Sequence, residues 1–157
     1  MSTQTESATA STTIESQGWK PGVIGGLAAG LVFGALMSLM TPMVLQMGIP
    51  AMYGIEGPAG AIGWVIHMSH AAVLGVVFAA IAGAVLESDA SIGKTVATGT
   101  VYGVALWVVL AVLVMPIWLS AVGFAGAPPL PNIGVESLVG HTVYGIVLGA
   151  VYATLRE

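Results

Sequence analysis

Four long apolar stretches, roughly residues 21–46, 60–86, 92–120 and 134–155, constrain this chain more than any other feature, because each carries a charge only near an end, if at all. A helix rises about 1.5 Å per residue and a hydrocarbon core is about 30 Å thick, so about 20 apolar residues suffice to cross it. The four stretches therefore predict an all-α fold, a bundle of four transmembrane helices. Composition agrees: 57% of the residues are hydrophobic and 6% are charged, whereas about a quarter of an ordinary soluble domain is charged.

The same counts exclude several functions. Three Lys and Arg against seven Asp and Glu give a net charge of −4, and no basic run is present that could follow a phosphate backbone, so nucleic acid is not an expected partner. The absence of Cys leaves no disulfide and no thiolate site. No nucleophile-elbow, zinc-protease, phosphate-loop or CxxC pattern occurs, and the chain is not expected to be an enzyme. Short connections leave no room for a nucleotide-binding or receiver domain. Residues 1–19 are rich in Ser, Thr and Glu and read as a disordered tail without the basic start of a secretory leader. Residues 20–157 read as the transmembrane domain.

Lys20, Lys94 and Arg156 all fall on one side of such a bundle, and the connections near 47–59 and 121–133 contain no cation. The positive-inside rule then predicts a multi-pass protein of the cytoplasmic membrane with both termini cytoplasmic.

The halves of the chain look alike. WVIHMSHAAVLGVVF (64–78) aligns with LVGHTVYGIVLGAVY (138–152), placing His67 on His141 and Gly75 on Gly149, while GLVFG (30–34) aligns with GTVYG (99–103) at a different offset. Two repeated, parallel helical hairpins are expected. Small residues recur every four positions: Gly22, Gly26, Gly30, Gly34 and Ser38; Ala71, Gly75, Ala79 and Gly83; Thr95, Gly99 and Gly103; Gly145, Gly149 and Ala153. In lipid, helices associate largely through such close-approach stripes, so these are expected packing seams, in a homo-oligomer or with other membrane subunits.

Ionisable groups inside a bilayer are costly, which makes His67, His70 and His141 the residues to weigh, with Ser38 and Thr41 completing a candidate polar cluster. His67 and His141 lie about seven residues, or about 10 Å, from the outer, cation-free end of their spans. Pro42 and Pro116 break the first and third helices and free the carbonyls of Ser38 and Val112. Donation from His67 and His141 to those carbonyls is one expectation. Ligation of haem b or copper by His67 and His141, with Met37, Met40, Met43, Met47, Met68 and Met115 nearby, is a second. A path for a small solute or ion lined by Ser38, Thr41, Gln46, His67, His70, Thr100 and His141 is a third. Glu136 sits in the first turn of the fourth helix, where the helix dipole favours a carboxylate, with Asn132 as its expected cap.

With GHTVYGIVLGAVY, HMSHAAVLGVVF and the proline-ended first and third spans in view, the chain resembles a family of small four-span prokaryotic membrane proteins frequent in haloarchaea, with a histidine/glycine motif in the second and fourth helices. The resemblance covers about residues 20–156. It implies the architecture and a salt-loving source, and it carries no activity that could be assigned to His67 or His141. The expected role is therefore a non-enzymatic accessory or interaction subunit, with a permease or channel subunit and a haem or copper redox subunit as the alternatives.

Overall fold

The computed structural model describes residues 18–156, so the expected tail, apart from its last two residues, lies outside the described residues. Five helical elements follow one another: α1 (Trp19–Met40), α2 (a π turn Val44–Gly48 running into Ile49–Ala51), α3 (Gly60–Val85), α4 (Ile92–Ala121) and α5 (Val135–Leu155). α1, α3, α4 and α5 are each long and apolar enough to cross a membrane. Their outward faces carry Leu39 at 82% exposure and Val101 at 70%. Water would penalise such faces, and a bilayer solvates them.

The first apolar stretch does not run unbroken to residue 46. Thr41 leaves helical geometry (φ −139°, ψ 54°) and its N–H closes α1 on the Met37 carbonyl. Pro42, which has no N–H and disfavours a helical predecessor, explains the break. The chain then packs α2 against the start of α3: Leu45 and Pro50 are buried, and a Cβ on Gly63 would overlap the Leu45 carbonyl.

Each hairpin closes on its own glycine seam. A Cβ on Gly22 would overlap the Gly75 carbonyl oxygen, one on Gly75 the Gly22 carbonyl, and one on Gly26 the Ala71 carbonyl. Between α4 and α5 the same reciprocity joins Gly99 to Gly145, while a Cβ on Gly103 would overlap the His141 carbonyl. Where a Cβ would strike an oxygen, the glycine hydrogen in its place points at that oxygen. This is the arrangement of a weak Cα–H···O bond, worth about 0.5–1 kcal/mol. The expected stripe ends differently at two places: Gly34 is covered by the Trp64 ring, and Gly83 faces open space.

α1 lies between two partners. Its Gly22, Gly26 and Gly30 face α3, while Gly25, Ala29 and Phe33 form a second face toward α5, where Leu148 meets Gly25 and the Phe33 ring occupies the space above Gly140. Between α3 and α4 the described contacts are aromatic. Tyr102 Oη donates to the Leu74 carbonyl (2.8 Å) and its ring lies 5.4 Å from Phe78. Tyr144 Oη donates from α5 to the Ala71 carbonyl of α3 (2.8 Å). These two tyrosines tie the hairpins together through hydroxyls that lipid could not satisfy.

At the basic end, Arg156 Nη2 donates to the Ala90 carbonyl (2.6 Å) in the α3–α4 connection, and Lys94 approaches Glu87 at 3.5 Å. The latter pair is exposed on both sides and contributes little to stability.

Candidate functional site

Helical spacing places His67 one turn before Ala71 on the seam face of α3, and His141 one turn before Gly145 on α5. Phe33 of α1 stands between them. Its ring centroid is 5.5 Å from that of His67, with the planes at 84°, and 4.8 Å from that of His141, at 64°. Both contacts are edge-to-face, the orientation in which an aromatic pair is favourable. Gly140 makes room for the ring, since any Cβ there would overlap Phe33. Trp64 closes the other side of His67, with centroids 6.0 Å apart.

The imidazole hydrogen bonds set the tautomers. His67 Nε2 lies 2.9 Å from the Gly30 carbonyl of α1. A carbonyl only accepts, so His67 carries its proton on Nε2. His141 Nδ1 lies 2.8 Å from the Ser137 carbonyl of its own helix, so His141 carries its proton on Nδ1. The two histidines, each one turn before a small seam residue, thus hold opposite tautomers. One bolts α3 to α1, and the other turns back on α5 to give its ring to Phe33.

These bonds correct the expectation that both histidines reach proline-freed carbonyls. The deficit made by Pro116 is met by Asn132 instead: its backbone N–H donates to the Val112 carbonyl (3.1 Å) and its Nδ2 to the Ala111 carbonyl (3.3 Å). The reason is geometric. Residues Trp107–Val114 of α4 are wound as a π-helix, in which carbonyls pair with the N–H five residues on rather than four. Pro116 therefore offers no donor to Ala111 in the π register or to Val112 in the α register. Asn132 supplies one donor to each. It does not cap α5, whose N-cap is Gly134 without a side-chain bond.

Replacing Asn132 with Leu keeps the backbone donor and the approximate volume but leaves the Ala111 carbonyl unpaired. The expected loss is about 1–3 kcal/mol of unfolding free energy, the cost of a buried unsatisfied polar group. It is read from denaturant unfolding in detergent, and an unchanged midpoint would show that the clamp contributes nothing.

The remaining candidates lie apart from this layer. His70 Nε2 pairs with Tyr53 Oη at 2.6 Å, and the Tyr53 ring lies 5.6 Å from that of Trp118. Ser38 returns its hydroxyl to the Gly34 carbonyl (2.9 Å), and Thr41 serves as the C-cap of α1. Ser69, Thr98, Thr100 and Thr142 also donate to carbonyls four residues back on their own helices. Sequence reasoning missed Phe33, Tyr102, Tyr144 and the true role of Asn132. The available signal for Phe33 was its place one turn after Ala29 and eight residues after Gly25, a small-residue face distinct from the conspicuous glycine stripe.

A bundle of apolar membrane-length helices, closed by glycine seams and crossed by a His–Phe–His layer, is the class of protein these features define. Residues 17–157 match the family model DUF6789, described as a family of unknown function, and the chain belongs to that family. No curated protein and no solved structure matches the chain.

Proposed function

We propose that the chain is a non-enzymatic accessory or interaction subunit of the cytoplasmic membrane, with both termini cytoplasmic, acting beside copies of itself or other membrane subunits. The observation that carries this reading is the Phe33 ring lying against both imidazoles while His67 and His141 each spend a proton on a backbone carbonyl. Groups so engaged serve helix packing. A haem or copper ion shared by both imidazoles would need the volume that Phe33 fills. The hydroxyls of Ser38, Ser69, Thr98, Thr100 and Thr142 are turned onto their own helices rather than toward a common path, which weighs against the permease reading.

Lys20 at the start of α1, Lys94 at the start of α4 and Arg156 at the end of α5 support the cytoplasmic assignment of that end. The N-terminal tail, with Glu6 and Glu15 and no Lys before Lys20, is compatible with a salt-loving prokaryotic source. The seam contacts support the repeated-hairpin reading and suggest a better alignment of its first helices. Gly26 meets Ala71 and Gly75 as Gly99 meets Gly145 and Gly149, which pairs position 26 with 99 and 30 with 103, close to the spacing of 67 and 141. This pairing replaces the offset of GLVFG on GTVYG.

The native chain contains no Cys, so a single Cys placed at position 38 or 100, a near-isosteric change at two residues of the candidate path, is a clean reporter. A membrane-impermeant maleimide added from either side is expected to leave both positions unlabelled in sealed vesicles. Labelling at rates near those of a loop control would overturn the subunit reading in favour of a water-filled path.

A further inference from the structure

Among the described residues, one side-chain polar atom is buried without a hydrogen-bond partner, the indole Nε1 of Trp107. An indole nitrogen only donates, and an unpaired donor inside an apolar bundle loses its hydration without compensation, so the atom requires an acceptor. Trp107 follows Gly103 by four residues and its backbone N–H still bonds the Gly103 carbonyl, so it continues the face of α4 on which Thr95, Gly99 and Gly103 form the seam with α5.

The antiparallel register of that seam identifies what lies opposite. Gly99 meets Gly145 and Gly149, and Gly103 meets the His141 carbonyl and Gly145. One turn further along α4 therefore corresponds to Ser137 and His141 on α5. His141 Nδ1–H donates to the Ser137 carbonyl, which makes Nε2 the acceptor nitrogen, and the hydrogen-bond contacts described for His141 are all at Nδ1. A buried donor without an acceptor and an acceptor without a donor thus share one level of one helix interface.

We propose that the α4–α5 interface binds a single small hydroxylic molecule, water, that accepts from Trp107 Nε1–H and donates to His141 Nε2. Only a molecule with both capacities satisfies both groups, and a bridging molecule serves where the two atoms do not meet directly. The bridge extends the His67–Phe33–His141 layer to α4. It also gives the second hairpin the polar tie between helices that the His67 bond to Gly30 gives the first.

Two measurements test this on the full chain in detergent or nanodiscs. In a thermal double-mutant cycle, Trp107→Phe is expected to lower the unfolding midpoint in the native background and to have no such effect in the His141→Phe background. An unchanged or raised midpoint from Trp107→Phe in the native background, or additive losses in the double variant, would overturn the proposal. On the unsubstituted chain, the Trp107 indole N–H resonance is expected to show a cross-peak to bound water, with the His141 nitrogen shifts of the Nδ1–H tautomer. Absence of the water cross-peak would overturn the bridge, including the case in which coupling between the two residues persists through a direct bond. The spectroscopic arm stands even if the variants fail to fold.

Discussion

Gly75→Ala is expected to unfold or separate the first hairpin, whereas Gly83→Ala, eight residues along the same helix, is expected to be neutral or mildly stabilising. The added methyl is identical, and its surroundings decide the outcome. At Gly75 it falls on the Gly22 carbonyl and lies 2.9 Å from the Gly26 Cα and 3.0 Å from the Gly22 carbonyl carbon, all backbone atoms of α1 that no rotamer change can move aside. Relief requires α1 and α3 to part, which also breaks the reciprocal Cα–H···O contacts and lengthens the His67 bond to Gly30. Overpacking of this kind costs about 1–3 kcal/mol and more when backbone must shift. At Gly83 nothing lies within 4 Å, so the substitution brings only the helix-propensity gain of Ala over Gly, at most about 1 kcal/mol. Unfolding midpoints of the two variants measured side by side read the contrast. Equal behaviour would contradict the seam.

Phe33→Ala is expected to cost about 3–5 kcal/mol, in the range of a buried aromatic truncated to Ala. The ring touches both imidazoles and fills the concavity over Gly140, and it belongs to the cluster that contains Ala29, Tyr144 and Leu148. Its removal strips the edge contact from His67 and His141 together and leaves a void at the junction of α1, α3 and α5. Phe33→Leu should recover more than half of the loss by refilling volume while lacking the quadrupole of the ring. Hydrogen exchange of α5 amides resolves whether the loss is local. Faster exchange confined to residues near Gly140 and His141 is expected, and uniform loss would indicate that the layer is a global keystone.

Much of this architecture was legible in the residues, and the reasons for the exceptions are physical. The four spans follow from apolar length, and the grouping of Lys20, Lys94 and Arg156 at one end follows from connection parity. The common depth of His67 and His141, inferred from their distance to the span ends, is consistent with the Phe33 ring touching both. Which stripe meets which is not written in periodicity, because a run of small residues states only that something can come close. Gly83 continues the α3 stripe and touches nothing, whereas Gly25 and Gly140 belong to no conspicuous stripe and make close contacts. The direction of the histidine bonds was equally hidden. Pro116 announces a carbonyl deficit, but the π winding of Trp107–Val114 moves that deficit onto two carbonyls and brings Asn132 within reach of both.

The central claim is that the His67–Phe33–His141 layer is a packing device and not a ligand set. Its most direct test is an oxidised-versus-reduced visible spectrum, together with metal analysis, of the full chain purified in mild detergent from its native membranes, beside the His67→Gln/His141→Gln variant. The account predicts no redox-sensitive band and no stoichiometric metal in either protein, with the double variant differing only by a lower unfolding midpoint. A haem band or stoichiometric copper in the native chain that disappears in the variant would contradict it.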